Sequence, residues 1–520
     1  MPKVFNINGL CRPEMHYMVD LRTRLEKIKE MVDAGKYFTI NRSRQYGKTT
    51  TLNALADYLR KDYPVISLDF QTMDALAFEN VENFVSAFSA ELLDAVDSFP
   101  DDIEEKLIAF VDGTARINSL QALFMVIKSW CRKLEVPPVL MIDEVDSATN
   151  NQVFLDFLSQ LRGYYFKRPR VASFQSVILA GVHDVRNLRQ KIRPDEDHKH
   201  NSPWNIAADF EVDMSFSSTD IAGMLTEYEN DHNTGMNIME ISRLIYDYTS
   251  GYPVLVSNIC KLNDEKIDQD IKWTSEGIVK AVGNIVSSRQ MLFDSMMNKL
   301  EDDENLRTCV YNILMNGNYL SYNPYDESIN YALMYGFISV ENGSVKIANR
   351  IFETVLYNFF LTTQKMQNTP TYKAGAFEKN QFIQNGALDM ELILEKFILH
   401  FNDIYGRESD SFKENDGRKL FLLYLRPIIN GVGNYYIEAQ TRDQRRTDVI
   451  VDYLGKQYII ELKIWHGDEY NTCGEKQLSE YLDYYHIDKG YLLSFNFNKN
   501  KQSGVHKIDV EGKTIVEAVV

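Results

Sequence analysis

Apolar positions recur in two rhythms along the chain, one of period near four and one of continuous short runs. Leu21 to Val32 carries helical spacing, and Lys36 to Ile40 (K-Y-F-T-I) reads as a buried strand. Thr50 to Leu59 returns to helical spacing through Leu52, Leu55, Ala56 and Leu59. Pro64 to Phe70 and the apolar start of Val139 to Ser147 predict further buried strands, as does Ser176 to Ala180. Helices are predicted between them at Phe84 to Val96, Ile103 to Phe110, Leu120 to Leu134 and Val153 to Phe166. Such alternation predicts an α/β sandwich with helices on both faces of a sheet. Phe210 to Phe216 alternates and reads as one more strand.

Beyond that point the rhythm is helical. Ser218-Thr219-Asp220 caps a helix to about Asp231, and Gly251-Tyr252-Pro253 separates Ile238 to Thr249 from Pro253 to Leu262. Helices at Leu306 to Met315 and Tyr331 to Leu333 precede two short strand runs joined by Asn342-Gly343, a strong hairpin signal. Helices followed by a hairpin suggest a winged-helix-like unit. Few basic residues lie there, so a structural arm is favoured over a DNA-docking wing. Arg350 to Leu361 closes this unit, and the polar, Pro- and Gly-containing Thr362 to Gln381 reads as a linker. The last part reads helix, strands at Tyr435 to Thr441, Arg446 to Tyr453 and Gln457 to Ile464, helix at Gly474 to Tyr485, and strand at Gly490 to Phe497, an αβββαβ order. The expected divisions are 1–235 for the α/β domain, 236–298 for a helical lid, 299–362 for the winged-helix-like arm, 363–385 for the linker and 386–520 for the last domain.

Composition narrows the picture. A chain of 520 residues, 44% hydrophobic and 25% charged, fits several globular domains. No apolar run approaches the ~20 residues that cross a bilayer, and Met1 to Leu10 lacks a signal-peptide core, so a cytoplasmic protein without membrane partners is expected. The five cysteines are scattered without a C-x-x-C pair, which suits a reducing compartment and offers no zinc site. A net charge of −18 argues against coating nucleic acid by charge alone and leaves room only for a local binding groove.

Two groups of residues carry chemistry. Asn41 to Leu52 reads N-R-S-R-Q-Y-G-K-T-T-T-L between a predicted strand and helix. That context suits a phosphate-binding P-loop, since the first amides of a helix face an anion without internal partners. Gly47, Lys48, Thr49 and Thr50 are the expected phosphate and nucleotide contacts, with Lys48 on the β- and γ-phosphates and the Thr49 hydroxyl on Mg²⁺. The consensus first glycine is replaced by Arg42, which leaves a chance G-K-T as the competing reading. V-L-M-I-D-E-V-D-S at Val139 to Ser147 delivers Asp143 to hold Mg²⁺ through water and Glu144 to polarise an attacking water, with Asp146 as a further acid. After the Ser176 strand, His183 or Asp184 suits a γ-phosphate sensor, and Arg186, Arg189 and Arg193 are candidate charge-neutralising arginines. Asp195 to His200 reads as an acidic loop rather than a metal site. Tyr17 suits either an adenine platform or a core anchor.

The second group lies near the carboxyl end. A two-residue turn at Leu454-Gly455 makes Tyr453 and Lys456 partners, and continuing that antiparallel register sets Asp448 opposite Glu461. Glu461 and Lys463 are two apart and share a face. Two carboxylates and an ammonium would then converge, with Asp448 and Glu461 binding Mg²⁺ or Mn²⁺ and Lys463 orienting a water. Arg442, Arg445 and Arg446 either grip phosphate or decorate a turn. A solvated charge cluster is the competing reading of the whole group.

Lys48-Thr49, Asp143-Glu144, Gly251-Tyr252-Pro253, H-Y-M-V-D (His16 to Asp20) and S-P-W-N-I-A (Ser202 to Ala207) together resemble bacterial AAA-like ATPases of the signal-transducing P-loop class. The last domain resembles the PD-(D/E)xK, or restriction-endonuclease-like, superfamily, and Gln477 with Tyr481 is similar to the Q-x-x-x-Y motif of its RecB-like members. The resemblance implies ATP rather than GTP. It also implies a helical acid that completes the metal site, for which Glu395 is the first candidate and Glu391 and Glu414 are rivals. The function it implies is an ATP-hydrolysing protein coupled to a metal-dependent nuclease, with DNA a better substrate than RNA. The alternative is an ATP-switched, self-associating interaction protein whose nuclease-like domain binds without cutting.

Overall fold

The computed structural model describes residues 2–149, 151–182, 204–315, 320–384, 386–405, 412–429, 433–436, 449–454, 456–465, 474–476, 478–479, 481–483, 487–498 and 501–520. The chain divides into two compact units, Met1–Phe216 and Ser217–Val520.

In the first unit a helix α1 (Arg22–Asp33) leads into β1 (Phe38–Asn41), and α2 (Lys48–Leu59) follows the loop after β1. Next come β2 (Val65–Asp69), α3 (Val81–Ala95), α4 (Asp101–Val111), α5 (Leu120–Cys131), β3 (Val139–Asp143), α6 (Gln152–Lys167) and β4 (Ser176–Gly181). The four strands form one parallel sheet in the order β1-β4-β3-β2, so β4 lies between the strand before the loop and the strand that ends in Asp143. Every residue of β3 and β4 is buried, as a parallel sheet covered on both faces requires. One face packs Leu140, Ile142, Val177 and Leu179 against the phenylalanine-rich helices α3 to α6. The other packs Phe38, Ile40, Met141, Ile178 and Ala180 against Leu25, Ile28 and Val32 of α1 and Leu52, Leu55 and Leu59 of α2. Tyr17 is 3% exposed with its ring 5.0 Å from that of Phe5, which is the core-anchor arrangement.

The stretch from Phe210 to Phe216 departs from expectation. It forms no strand; only Ala208 bridges β1, at Phe38. The alternation that suggested a strand is real, since Val212 and Met214 are buried. Their carbonyls, however, are served by arginine side chains instead of a ladder: Arg42 Nη2 donates to Val212 O at 3.0 Å and Arg24 Nη2 to Met214 O at 3.0 Å. The segment is therefore a strap held by guanidinium groups.

The second unit opens with helices α7 (Ser218–His232), α8 (Ile238–Thr249), α9 (Pro253–Lys266) and α10 (Ser275–Ser287). A capping box at Ser217 and Asp220 starts α7, which lies beyond the end of the first unit and packs with α8, so the helical stretch begins before residue 236. After α11 (Met291–Asp302) and α12 (Glu304–Met315) come β5 (Leu320–Ser321), α13 (Glu327–Met334), β6 (Ile338–Glu341) and β7 (Ser344–Ile347). These strands form a small sheet in the order β5-β7-β6. The β6–β7 turn has φ of 50° at Asn342 and 76° at Gly343, the two positive angles of a tight hairpin. Helix α14 (Arg350–Leu361) is capped by Asn349 Oδ1, which accepts from Phe352 N at 2.9 Å.

The segment expected to be a linker is helical. It holds α15 (Gln364–Gln367) and α16 (Pro370–Glu378), started by Thr369 and by Pro370 in the first turn. Gly375 explains why the sequence misleads. A Cβ there would sit 2.0 Å from Tyr424 O, so this glycine marks a close helix crossing rather than a flexible joint. The partner helix is α18, which runs Glu414–Ile429 after β8 (Ile383–Gln384), β9 (Ala387–Leu388) and α17 (Met390–Tyr405). The carboxy-terminal sheet has six strands: β10 (Gly433–Tyr436), β11 (Val449–Tyr453), β12 (Lys456–Ile464), β13 (Lys489–Phe495), β14 (Gly504–Val510) and β15 (Lys513–Val519). Their order is β10-β11-β12-β13-β15-β14, antiparallel through β12, then parallel from β12 to β13 to β15. Beyond the predicted strand Gly490 to Phe497 the sheet gains a final hairpin, β14–β15, whose turn at Glu511-Gly512 again has two positive φ angles.

Candidate functional site

The loop between β1 and α2 gathers the first group. Gly47 caps α2 with φ 78° and has no atom within 4 Å of an added Cβ, so glycine is favoured for its left-handed backbone rather than for space. Gln45 also has positive φ. Lys48 is 6% exposed, and its Nζ donates to Arg42 O at 3.0 Å and Ser43 O at 3.1 Å. Burial lowers its pKa, opposed by the nearby carboxylates of Glu144, Asp146 and Asp143. The Thr49 hydroxyl donates to Asp143 Oδ2 at 2.6 Å, so the two oxygens expected on one Mg²⁺ already touch. Thr50 is turned to another task, its Oγ1 accepting from Cys11 N at 3.2 Å.

Asp143 ends β3 at 7% exposure and lies level with Asp69 of β2. Its Oδ1 accepts from Glu144 N at 2.9 Å. Burial raises its pKa, opposed by the Thr49 hydroxyl and the Glu144 amide. Glu144 is half-buried, with its pKa also raised by burial, and it occupies a left-handed backbone position at φ 49°. A non-glycine residue there is strained by ~1 kcal/mol, a feature common where a side chain is aimed at chemistry. Asp146, read only as an accessory acid, accepts from Val182 N at 2.6 Å and so ties the turn after β3 to the end of β4. Arg42, in sequence only a missing glycine, reaches the strap at Val212 O. No sequence signal marks either contact, because both join segments far apart in the chain. His183, Asp184, Arg186, Arg189, Arg193 and the acidic run Asp195 to His200 lie outside the described residues.

The second group sits in β12. Glu461 is 1% exposed, and Lys463 Nζ lies 3.5 Å from its Oε1. The β11–β12 register runs from Tyr453↔Lys456 to Val449↔Ile460 and stops one position short of Asp448, which lies outside the described residues with Arg442, Arg445, Arg446 and Gln477. A Cβ on Gly474 would fall 3.0–3.2 Å from Lys463 Cδ, Nζ and Cε, so the helical residues that begin at Gly474 lie against this lysine. Lys463 is level with Ser494 of β13, whose Oγ donates to Glu517 Oε1 at 2.9 Å.

Glu395 is exposed on α17, while Ile393, Leu394, Phe397 and Ile398 turn inward and the helix packs on β14 and β15. Its rival Glu391 is paired with Lys489 and Lys507, and Glu414 is half-buried at the start of α18. Among the described residues no three His, Cys, Asp or Glu side chains converge as a metal cluster. Cys11, Cys131, Cys260 and Cys309 are free thiols, and no described helix is long and apolar enough to cross a membrane.

A parallel sheet between two helical layers, with a glycine-capped helix after its first strand, defines an α/β protein of the P-loop type. The model of the family described as AAA-like domain matches residues 14–358, and the chain belongs to that family. Residues 359–520 lie outside the match. Among solved structures, the Walker-type ATPase PABY2304 of Pyrococcus abyssi is 15% identical, covers 68% of this chain and 99% of its own, and has a TM-score of 0.44. The Aeropyrum pernix ORC2 protein, solved as ADPNP–ADP complexes, is 11% identical over 68% of this chain and 96% of its own, with a TM-score of 0.39. These likenesses are too remote to carry function. No curated protein matches the chain.

Proposed function

We propose that the first unit binds Mg–ATP and hydrolyses it, and that this cycle governs a metal-dependent nuclease site in the carboxy-terminal sheet. The observation that carries the first part is the Thr49 hydroxyl seated on Asp143 beside a buried Lys48 at the start of α2. Bound Mg–ATP supplies the phosphoanhydride that is cleaved. The amides at the start of α2 and the left-handed turn at Gly47 cradle phosphate oxygens, and Lys48 exchanges its carbonyl partners for them. Thr49 and Asp143 are the oxygen ligands that suit Mg²⁺. Glu144 orients the attacking water and takes its proton, a role that its raised pKa favours.

The nuclease reading rests on Glu461 and Lys463, a carboxylate and an ammonium on one face of a central strand, with Asp448 expected next in register. Glu461 would offer a hard oxygen ligand for Mg²⁺ or Mn²⁺, and Lys463 would hold a water or a phosphate oxygen.

Phosphate release from ATP by the purified chain, lost in Lys48→Ala and Glu144→Gln, tests the first part. Cleavage of linear or single-stranded DNA with Mg²⁺ or Mn²⁺, lost in Glu461→Ala and Lys463→Ala, tests the second. DNA binding that persists without cleavage would replace the nuclease by a binding module. Unaltered phosphate release in Lys48→Ala would overturn the nucleotide reading.

A further inference from the structure

Arg42 stands where the P-loop pattern has its first glycine, and a glycine could make none of its side-chain contacts. Its Nη1 donates to Asn41 O at 2.9 Å and its Nη2 to Val212 O at 3.0 Å. The guanidinium carbon lies 5.5 Å from the centroid of the Phe210 ring, which itself stacks on Phe38 of β1 at 5.8 Å and 9°. The Arg42 amide donates to Gly181 O of β4 at 3.3 Å. Its carbonyl is one of the two oxygens that hold Lys48 Nζ. One residue thus joins the P-loop lysine, the end of β4 and the strap of residues 208–216. Farther along the strap, Arg24 holds Met214 O, and its guanidinium carbon lies 5.9 Å from the centroid of the Phe216 ring. The strap then enters Ser217, the capping residue of α7.

We propose that Arg42 is a positioning residue that passes phosphate occupancy from Lys48 to the strap, and along the chain to the start of α7. The proposal rests on the nucleotide reading above. A phosphate oxygen attracts an ammonium more strongly than a neutral carbonyl does, so binding draws Lys48 away from Arg42 O. The peptide that loses this donor turns, and the guanidinium rooted on it shifts its hold on Val212 and Phe210. A planar group held by two carbonyls and a ring face transmits such a movement, because the ring and both acceptors fix its plane.

Hydrogen exchange of the full-length chain tests this, read on peptides spanning 208–216 with and without Mg–ATPγS at concentrations saturating for each variant. In the wild-type chain the nucleotide changes exchange in the strap by roughly tenfold. Arg42→Gly, which restores the consensus glycine, and Phe210→Leu, which removes the ring but keeps an apolar side chain, each abolish most of that change. Should Arg42→Gly fail to fold, Phe210→Leu decides the matter, being outside the loop. A strap indifferent to nucleotide, or variants that respond as the wild type does, would overturn the coupling while leaving nucleotide binding in place. Absence of fluorescent ATP-analogue binding by the wild-type chain would overturn both.

Discussion

Asp143→Asn separates the site's function from its stability with opposite signs. Asp143 is 7% exposed, and burial holds its pKa above the usual carboxylate range, so its ionised form is disfavoured in the folded chain. Both oxygens accept, Oδ1 from Glu144 N and Oδ2 from Thr49 Oγ1. Asparagine can keep both contacts: its oxygen accepts from the Glu144 amide, and its NH₂ donates to the Thr49 hydroxyl, which rotates to accept. The substitution therefore removes a buried charge and keeps both hydrogen-bond partners, and because burial outweighs the attraction of Lys48 for this carboxylate we expect a gain of about 1 kcal/mol at pH 7.5. For a unit of this size that is a rise of about 2–4 °C in Tm. The relevant transition is the one that Mg–ATP shifts. The pH dependence has a defined sign. A carboxyl whose folded pKa is raised contributes its stability below the unfolded value and loses it as pH rises through the folded value. The advantage of asparagine is thus absent in acid and grows through that window. ATP hydrolysis falls by roughly 100-fold, about 2.7 kcal/mol in the barrier. A lower Tm at pH 7.5, or a gain equal at all pH values, would refute the reasoning.

Three further outcomes follow from the same geometry. Thr49→Val removes the hydroxyl oxygen proposed to hold Mg²⁺ beside Asp143, so the part of ATP affinity that requires Mg²⁺ should fall at least about tenfold by titration calorimetry, with Thr49→Ser restoring it. Lys463→Met takes away the ammonium 3.5 Å from a carboxylate that is 1% exposed and should cost about 3–5 kcal/mol in urea unfolding, whereas Glu461→Gln costs less; metal-dependent DNA cleavage is lost in both. Gly375→Ala forces a Cβ to 2.0 Å from Tyr424 O and should cost about 1–3 kcal/mol, a loss that a flexible linker would not show.

What could be read in advance was local. The run K-Y-F-T-I, the glycine before Lys48 and the helical spacing after it lie within two dozen residues, and they specify strand, loop and helix together. The β11–β12 register was equally accessible, since a two-residue turn sets every pairing that follows from Tyr453 and Lys456. Long-range substitution of one kind of partner for another was hidden. Phe210 to Phe216 has the alternation of a strand because Val212 and Met214 are buried, but pattern reports burial and says nothing of who satisfies the carbonyls. Gly375 hides its role within the predicted linker for a similar reason. A glycine in polar surroundings suggests a joint until the backbone that lies against it is known.

The same limit bears on the Arg42 position. Judged against a motif, an arginine in place of glycine weakens the P-loop reading, because glycine is valued there for what it lacks. In the folded chain the loop still closes: Lys48 spans it to Arg42 O and Ser43 O, and the arginine side chain leaves the loop for Asn41 O and Val212 O. The loop thus accommodates a side chain at this position by directing it outward. A departure from consensus carries different weight depending on where the added atoms go. Atoms directed into the phosphate space would contradict function, whereas atoms directed to the strap add a connection that the consensus loop does not have. That difference makes Arg42 the more informative residue to change, since Lys48→Ala tests whether the loop binds and Arg42→Gly tests what the binding moves.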